Sequence, residues 1–346
     1  MRSKERLQDL GEIEIIKILE RLLFEKTGKK LIRDDSFFYT LKDQICTKIG
    51  PLDKIIFNSD MLVSSTDVPP HMNYYQIGRK SILMNISDLI VKGVIPKGLI
   101  ISLGLPREMN LTKFKKLING IIDYSLKWKL DYIGGDLNET KELIINPIVF
   151  GFQNNSQIIY RKGMKAGDLL ISNGKFGLTG VGFDILINKR GTLNEYPEFK
   201  RSIESVIEIK DLGKEGIVLA KNHFASASID SSDGLFKSLK DLMLSNPNLG
   251  FEIDFNQDLI DSEALKYSQD FKIPLEKLVF SGGEEFIHLF TINPKLLSKV
   301  QAIIQANGGK IFKIGRVISK NSILMIKDNK EIALKYYGFE HFRKMD

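Results

Sequence analysis

Aspartate recurs in this chain just where a strand-length apolar run stops. Asp60 follows KIIFNS, Asp136 follows LDYIGG, Asp230 and Asp233 sit in SASIDSSDGL, and Asp34-Asp35 form a further pair. A strand end is a rigid mount, so carboxylates carried on several of them are set to converge, and hard oxygens brought together suit a divalent cation and phosphate. Asp88 joins them from KSILMNISDLIVKG, a helical pattern in which Asn85 lies three residues earlier on the same face. A mid-helix carboxylate among apolar neighbours needs a partner, and a cation is a good one.

Taken one at a time, these aspartates are more simply turn formers or helix caps. Their contexts argue otherwise. Two glycines before Asp136 permit close backbone approach by a bulky ligand such as a triphosphate. Asp230 and Asp233 flank two hydroxyls at a strand-to-helix junction, where helix-terminal N–H groups can receive phosphate. No segment matches the G-x-x-x-x-G-K-[ST] phosphate loop. The glycine-rich run 174–182 lacks the G-x-G-x-x-G spacing and reads as a tight structural turn in preference to a phosphate cradle.

Helical patterns cover 12–24, 77–91 and 111–130, the last opening on Asn110 as a cap, and strand-like runs fall at 54–58, 99–103, 132–133 and 143–152. A polar connection at 153–159 separates these from a second α/β pattern. It has a strand at 168–172, the glycine-rich turn, a helix at 181–188, a strand at 225–229, a helix at 235–244, and strands at 251–255, 286–291 and 311–317. The expectation is two domains, 1–155 and 156–346, since 346 residues suffice for two cores.

Several function classes are disfavoured. Cys46 is the only cysteine, which excludes an intramolecular disulfide or a cysteine zinc site and fits a reducing, cytoplasmic setting. His71, His223, His288 and His341 lack the paired spacing of a zinc helix, so any metal is expected on oxygen ligands. The most apolar stretch, 81–106, contains Asp88, Lys92, Pro96 and Lys97, and acidic and basic residues interrupt the N-terminal apolar positions, so no membrane span or signal core is expected. Net charge is +7, but lysines alternate with acids and no basic run is interleaved with aromatics. A solvated surface is expected there, not a nucleic-acid face.

Ten ordered segments carry a family resemblance: GEIEII (11–16), RDDSFF (33–38), NSDMLV (58–63), GRKSILMNISDLIVKGVIP (78–96), IGGDLNE (133–139), RKGMKAGD (161–168), IDSSDGL (229–235), SGGEEF (281–286), IGRV (314–317) and GFEHF (338–342). Together they resemble thiamine-monophosphate kinases, in the superfamily that includes aminoimidazole ribonucleotide synthetase, selenide water dikinase and hydrogenase-maturation proteins. The resemblance implies an α+β, two-domain fold like that of aminoimidazole ribonucleotide synthetase. An N-terminal domain, 1–155, would bind ATP and Mg²⁺ and pair its sheet with that of a second subunit in a homodimer; a C-terminal α/β domain would span 156–346. Metal ligands would be Asp35, Asp60, Asp88, Asp136, Asp230 and Asp233, with Asp34, Asn58 and Ser59 beside them, and Asp88, Asp136 and Asp233 counted as catalytic. Gly135, Asp136, Arg161 and Ser232 would meet ATP. Asp67, Glu284 and an aromatic, Phe339 or Tyr336, would meet the thiamine-bearing substrate. Several Mg²⁺ ions, ATP as co-substrate and thiamine monophosphate as acceptor follow from the same resemblance.

Departures from the family pattern fall mainly in the substrate pocket. Arg33 replaces a glycine before the paired aspartates, and Asp67 stands where many members have histidine, which looks like the variant of the archaeal branch. Leu137 follows GGD in place of threonine, and Gly283-Glu284-Glu285-Phe286-Ile287 stands for GEDYE. The implied reaction is in-line transfer of the ATP γ-phosphoryl group without a phosphoenzyme. A phosphate monoester with a second pKa near ~6 needs no strong base to act as acceptor. The alternatives are another ATP-dependent enzyme of the superfamily with a different acceptor, and a non-catalytic nucleotide- or nucleic-acid-binding protein. No cysteine near the N-terminus speaks against selenophosphate synthesis, and the full aspartate set speaks against a mere binder.

Overall fold

The helix Tyr74–Val91 (α1) is rich in large apolar residues and is buried on nearly every side from Ile77 onward, so it has to be covered all round. In the computed structural model, which describes residues 34–47 and 50–335 together with Ile13, Glu14, Lys17 and Phe24, Ile82, Leu83, Ile86, Leu89 and Ile90 are fully buried. Two sheets do the covering. The first holds β1 (Phe37–Thr47), β2 (Gly50–Asn58), β3 (Leu62–Val63), β4 (Pro96–Pro106), β5 (Asp131–Thr140) and β6 (Ile144–Gln153), in the order β1-β2-β6-β4-β5 with β3 on the end of β6. Among the described strands of this sheet only β4 and β5 pair in parallel, which demands a crossover, and α2 (Leu111–Lys127) supplies it. An asparagine opens each of these helices: Asn73 forms a reciprocal capping box with Gln76 on α1, and Asn110 accepts from Lys113 N on α2.

The second sheet holds β7 (Leu169–Ser172), β8 (Ala225–Ser231), β9 (Gly250–Asp254), β10 (Ile287–Ile292), β11 (Phe312–Ile318), β12 (Ile323–Lys327) and β13 (Lys330–Ala333), in the order β13-β12-β9-β11-β7-β10-β8. Because α1 packs on β2 and β6 of the first sheet and on β8 and β10 of the second, polar side chains along it are clamped between the two layers. The arrangement is α+β, with helices laid against two mixed sheets.

Three differences from the sequence reading matter. The strand expected at 132–133 extends to Thr140, so Asp136 lies inside β5 and not at a strand end. Pairing with β4 carries the strand past the glycines through a register shift at Leu99/Ile100, and a Cβ at Gly135 would lie 1.7 Å from the Ile101 carbonyl oxygen. The helix expected at 181–188 begins earlier as α3 (Leu178–Phe183) and continues as a π-helix, Asp184–Asn188. Two of its glycines serve packing, since a Cβ at Gly180 would meet Leu278 O at 2.4 Å and one at Gly182 would meet Ser202 O at 2.2 Å. Beyond the expected α6 (Leu235–Ser245), helices not anticipated are α4 (Lys200–Ile207), α5 (Glu215–Lys221), α7 (Ser262–Phe271), α8 (Leu275–Phe280) and α9 (Leu297–Ala306).

Of the helix expected at 12–24, Ile13, Glu14, Lys17 and Phe24 are described and helical; the remainder lies outside the described residues. Among the described residues no helix is long and apolar enough to cross a membrane.

Candidate active site

Three carboxylates from three elements meet between the sheets. Asp35 comes from the bend before β1, Asp88 from the last turn of α1 and Asp230 from the end of β8; all are buried, and each offers an oxygen within 4.8 Å of the others. Among the described residues, cationic side chains form ion pairs with only one of them, Asp35. Lys92, fully buried just past α1, bonds to Asp34 Oδ1 at 2.9 Å and to Asp35, and donates to the Ser228 carbonyl at 2.7 Å. The Arg161 guanidinium donates to Asp35 Oδ1 through Nε at 3.0 Å and through Nη2, while its backbone N–H donates to Asp34 Oδ2 at 3.0 Å.

The electrostatics follow from this asymmetry. Burial opposes the Asp35 charge, but Arg161 and Lys92 outweigh it and hold that carboxyl below its usual range. Asp88 has no such help: burial first, then the charges of Asp230, Asp60 and Asp35, hold it well above the carboxylate range, and its described side-chain donor is the Asn58 amide. Burial and the Asp35 charge push Asp230 up to about 7, against a 2.8 Å hydrogen bond from Ser87. The Asp88–Asp230 side is therefore short of positive charge. A hard divalent cation fits that deficit and the all-oxygen donor set.

The other expected residues fall into three groups. Asn58 and Asp60 adjoin the cluster: Asn58 Nδ2 also donates to Asp35 O at 3.1 Å, and Asp60 is tied to α1 by paired bonds with the Asn85 amide at 2.8 and 3.0 Å. Burial raises the Asp60 carboxyl. Ser59 is exposed and donates to Asn146 Oδ1 at 3.1 Å. Gly135 and Asp136 are exposed on β5, and Asp136 is not among the three that converge. Ser232 and Asp233 are half-buried in the turn after β8, where Asp233 pairs with Lys237 one helical turn on.

Glu284 lies across the inter-sheet space, paired with the buried Lys80 of α1, which also donates to the Asp67 carbonyl. Asp67 accepts from Val63 N at 2.7 Å. Glu284 Oε2 is buried without a hydrogen-bond partner among the described residues, and burial, opposed by Lys80, raises its carboxyl. Glu284 and Phe286 adopt positive φ of 57° and 49°, held by their N–H groups donating to Ser232 O and Ser231 O, a strained geometry of the sort kept at functional sites. Tyr336 and Phe339 lie outside the described residues.

Sequence reasoning missed Lys80, Ser87, Lys92 and His288 as members of this region. Lys92 counted only as a charge interrupting an apolar run. The usable signal was that a lysine just past a helix buried on all sides must find an anion.

Residues 41–153 match the family described as AIR synthase related protein, N-terminal domain. The chain is 34% identical over 338 residues to the thiamine-monophosphate kinase of Nitrosopumilus maritimus, covering 97% of this chain and 100% of that one. It is 29% identical over 339 residues to the protein of the same name from Pyrococcus horikoshii, covering 97% and 98%. Among solved structures, AaThiL complexed with AMPPCP and TMP superposes with a TM-score of 0.78 over 98% of this chain and 99% of that one, at 23% identity, and so shares the fold.

Proposed function

Because the chain belongs to the thiamine-monophosphate kinase family, we propose that its buried carboxylate cluster serves transfer of the ATP γ-phosphoryl group to thiamine monophosphate. The chain is an ATP-dependent kinase of thiamine monophosphate. The observation that carries the site assignment is the meeting of Asp35, Asp88 and Asp230 with a charge deficit on one side. In this reading Asp34, Asn58, Ser59, Asp60, Asp136 and Asp233 complete the ligand set for Mg²⁺, and Gly135, Arg161 and Ser232 meet the nucleotide. Bound Mg²⁺ would supply the positive charge that lets two anionic phosphates approach and that stabilises charge on the leaving group. Asp88, Asp136 and Asp233 would be the catalytic members of that set. Lys92 and Arg161 keep Asp35 ionised. No residue is required as a base, because the acceptor phosphate, with a second pKa near ~6, is already ionised at neutral pH.

The acceptor's other end is a thiazolium cation. Glu284 suits it, since Lys80 occupies Oε1 and leaves the buried Oε2 without a partner. Glu284→Gln is therefore expected to raise KM for thiamine monophosphate about tenfold, roughly 1.4 kcal/mol of binding, with KM for ATP within about twofold. Steady-state kinetics with each substrate varied in turn checks this, and an effect confined to ATP would contradict the assignment.

The division into 1–155 and 156–346 is proposed with the first part carrying the dimer contact. Among the described residues, strand β5 pairs only with β4 and exposes Tyr132, Ile133 and Leu137, so this edge with apolar side chains offers a surface for a second copy. The single cysteine supports a cytoplasmic location.

A further inference from the structure

His288 is fully buried on β10, directly across the strand pair from Asp230 on β8, yet the phosphoryl-transfer reading gives it no part. Its Nε2 lies 3.2 Å from Ser87 Oγ, and Ser87 Oγ lies 2.8 Å from Asp230 Oδ2. Its Nδ1 is buried and has no hydrogen-bond partner among the described residues.

With Asp230 ionised as a cation ligand, these contacts set where the protons lie. An ionised carboxylate only accepts, so the Ser87 hydroxyl must give its single proton to Asp230. Having done so, Ser87 can only accept from the imidazole, which places the imidazole proton on Nε2 and leaves Nδ1 as a bare lone pair. The backbone is pinned too: His288 N donates to Asn173 Oδ1 at 2.8 Å, and Asn173 N donates to His288 O at 3.2 Å.

We propose that Ser87 and His288 are positioning residues that hold the Asp230 carboxylate turned into the cluster, through the ordered chain His288 Nε2–H to Ser87 Oγ–H to Asp230 Oδ2. The inference rests on the reading of Asp230 as a cation ligand. Like charge on Asp35 favours rotation of Asp230 away from the cluster when no cation is bound. A hydrogen bond from Ser87 opposes that rotation and commits Oδ2, leaving the other oxygen for the ion. His288 keeps the Ser87 proton from turning elsewhere.

The test is Mn²⁺ affinity of the full-length, nucleotide-free protein, measured by titration calorimetry, for Ser87→Ala, His288→Leu, His288→Gln and Asp230→Asn, with thermal melting in chelator as the folding check. Ser87→Ala and His288→Leu are expected to weaken Mn²⁺ binding about 10–100-fold, the range found when partners of metal ligands are removed. His288→Gln, whose amide N–H can replace the imidazole donor, is expected to stay within about threefold. Binding within twofold of the parent in Ser87→Ala and His288→Leu, with Asp230→Asn weakened, overturns the positioning chain alone. Equal losses in His288→Gln and His288→Leu overturn the donor role of His288. Unchanged binding in Asp230→Asn overturns the cation reading of the site and the chain with it.

Discussion

Replacing Lys92 with methionine is expected to lower the unfolding free energy by about 3–5 kcal/mol, the usual consequence of removing one partner from a buried ion pair. The methionine fills much of the space of the lysine stem, so the loss is electrostatic. It leaves Asp34 and Asp35 with Arg161 as their remaining described cation and strands the Ser228 carbonyl without its donor. Urea unfolding in metal-free buffer measures the loss. Adding Asp35→Asn to Lys92→Met is expected to recover part of the stability, because the double variant no longer buries the carboxylate that lost its partner. A loss under about 1 kcal/mol, as for an exposed pair, would show that Lys92 is not the counter-charge described.

Asp88→Asn is expected to separate activity from stability in the opposite sense. An amide keeps the shape and can still accept from the Asn58 Nδ2 donor, so the fold survives. Burial and three neighbouring carboxylates already oppose the Asp88 charge, and its removal relieves the metal-free protein. Unfolding should therefore be no easier than in the parent. Turnover is expected to fall by at least about 100-fold, since loss of a ligand should exceed the 10–100-fold cost of losing a ligand's partner. Near-parental kcat would mean that Asp88 is a structural residue, as a lone buried aspartate often is.

How much of this was legible in the sequence depends on the range of the contact. Asp230 announces itself through SASIDSSDGL, where an apolar strand gives way to polar residues and then a helix, and Asp88 through its placement in an otherwise apolar helix. Both signals are local. Asp136 is different: the Gly134-Gly135 pair reads as a strand stop, yet pairing with β4 carries β5 on to Thr140 and leaves Asp136 in mid-strand. Strand β1, FFYTLKDQICT, lacks clean alternation, and it is a strand because its backbone pairs with β2. Helix α7 left a readable trace, Asp261 capping Glu263 N at 3.0 Å ahead of a helical pattern, that a reading centred on glycine and apolar runs passes over. The contacts of Lys80 with Glu284 and Ser87 with His288 join residues about 200 positions apart, beyond what any sequence periodicity can express.

The pairing of α1 with both sheets converts these separate signals into a site. It brings Asp88 against Asp230 and Lys92 against Asp35, and sets Lys80 on Glu284 a few turns away. The acceptor is the part of the function with least support from the carboxylates alone, because they would serve any phosphoryl transfer from ATP. The discriminating measurement is mass identification of the product when purified protein with Mg²⁺ and ATP is offered thiamine monophosphate and free thiamine in separate reactions. Thiamine diphosphate is expected from the monophosphate, and no phosphorylated product from free thiamine, whose alcohol, unlike the acceptor phosphate, is not ionised at neutral pH. Phosphorylation of free thiamine at a comparable rate, or no thiamine diphosphate from the monophosphate, would contradict it.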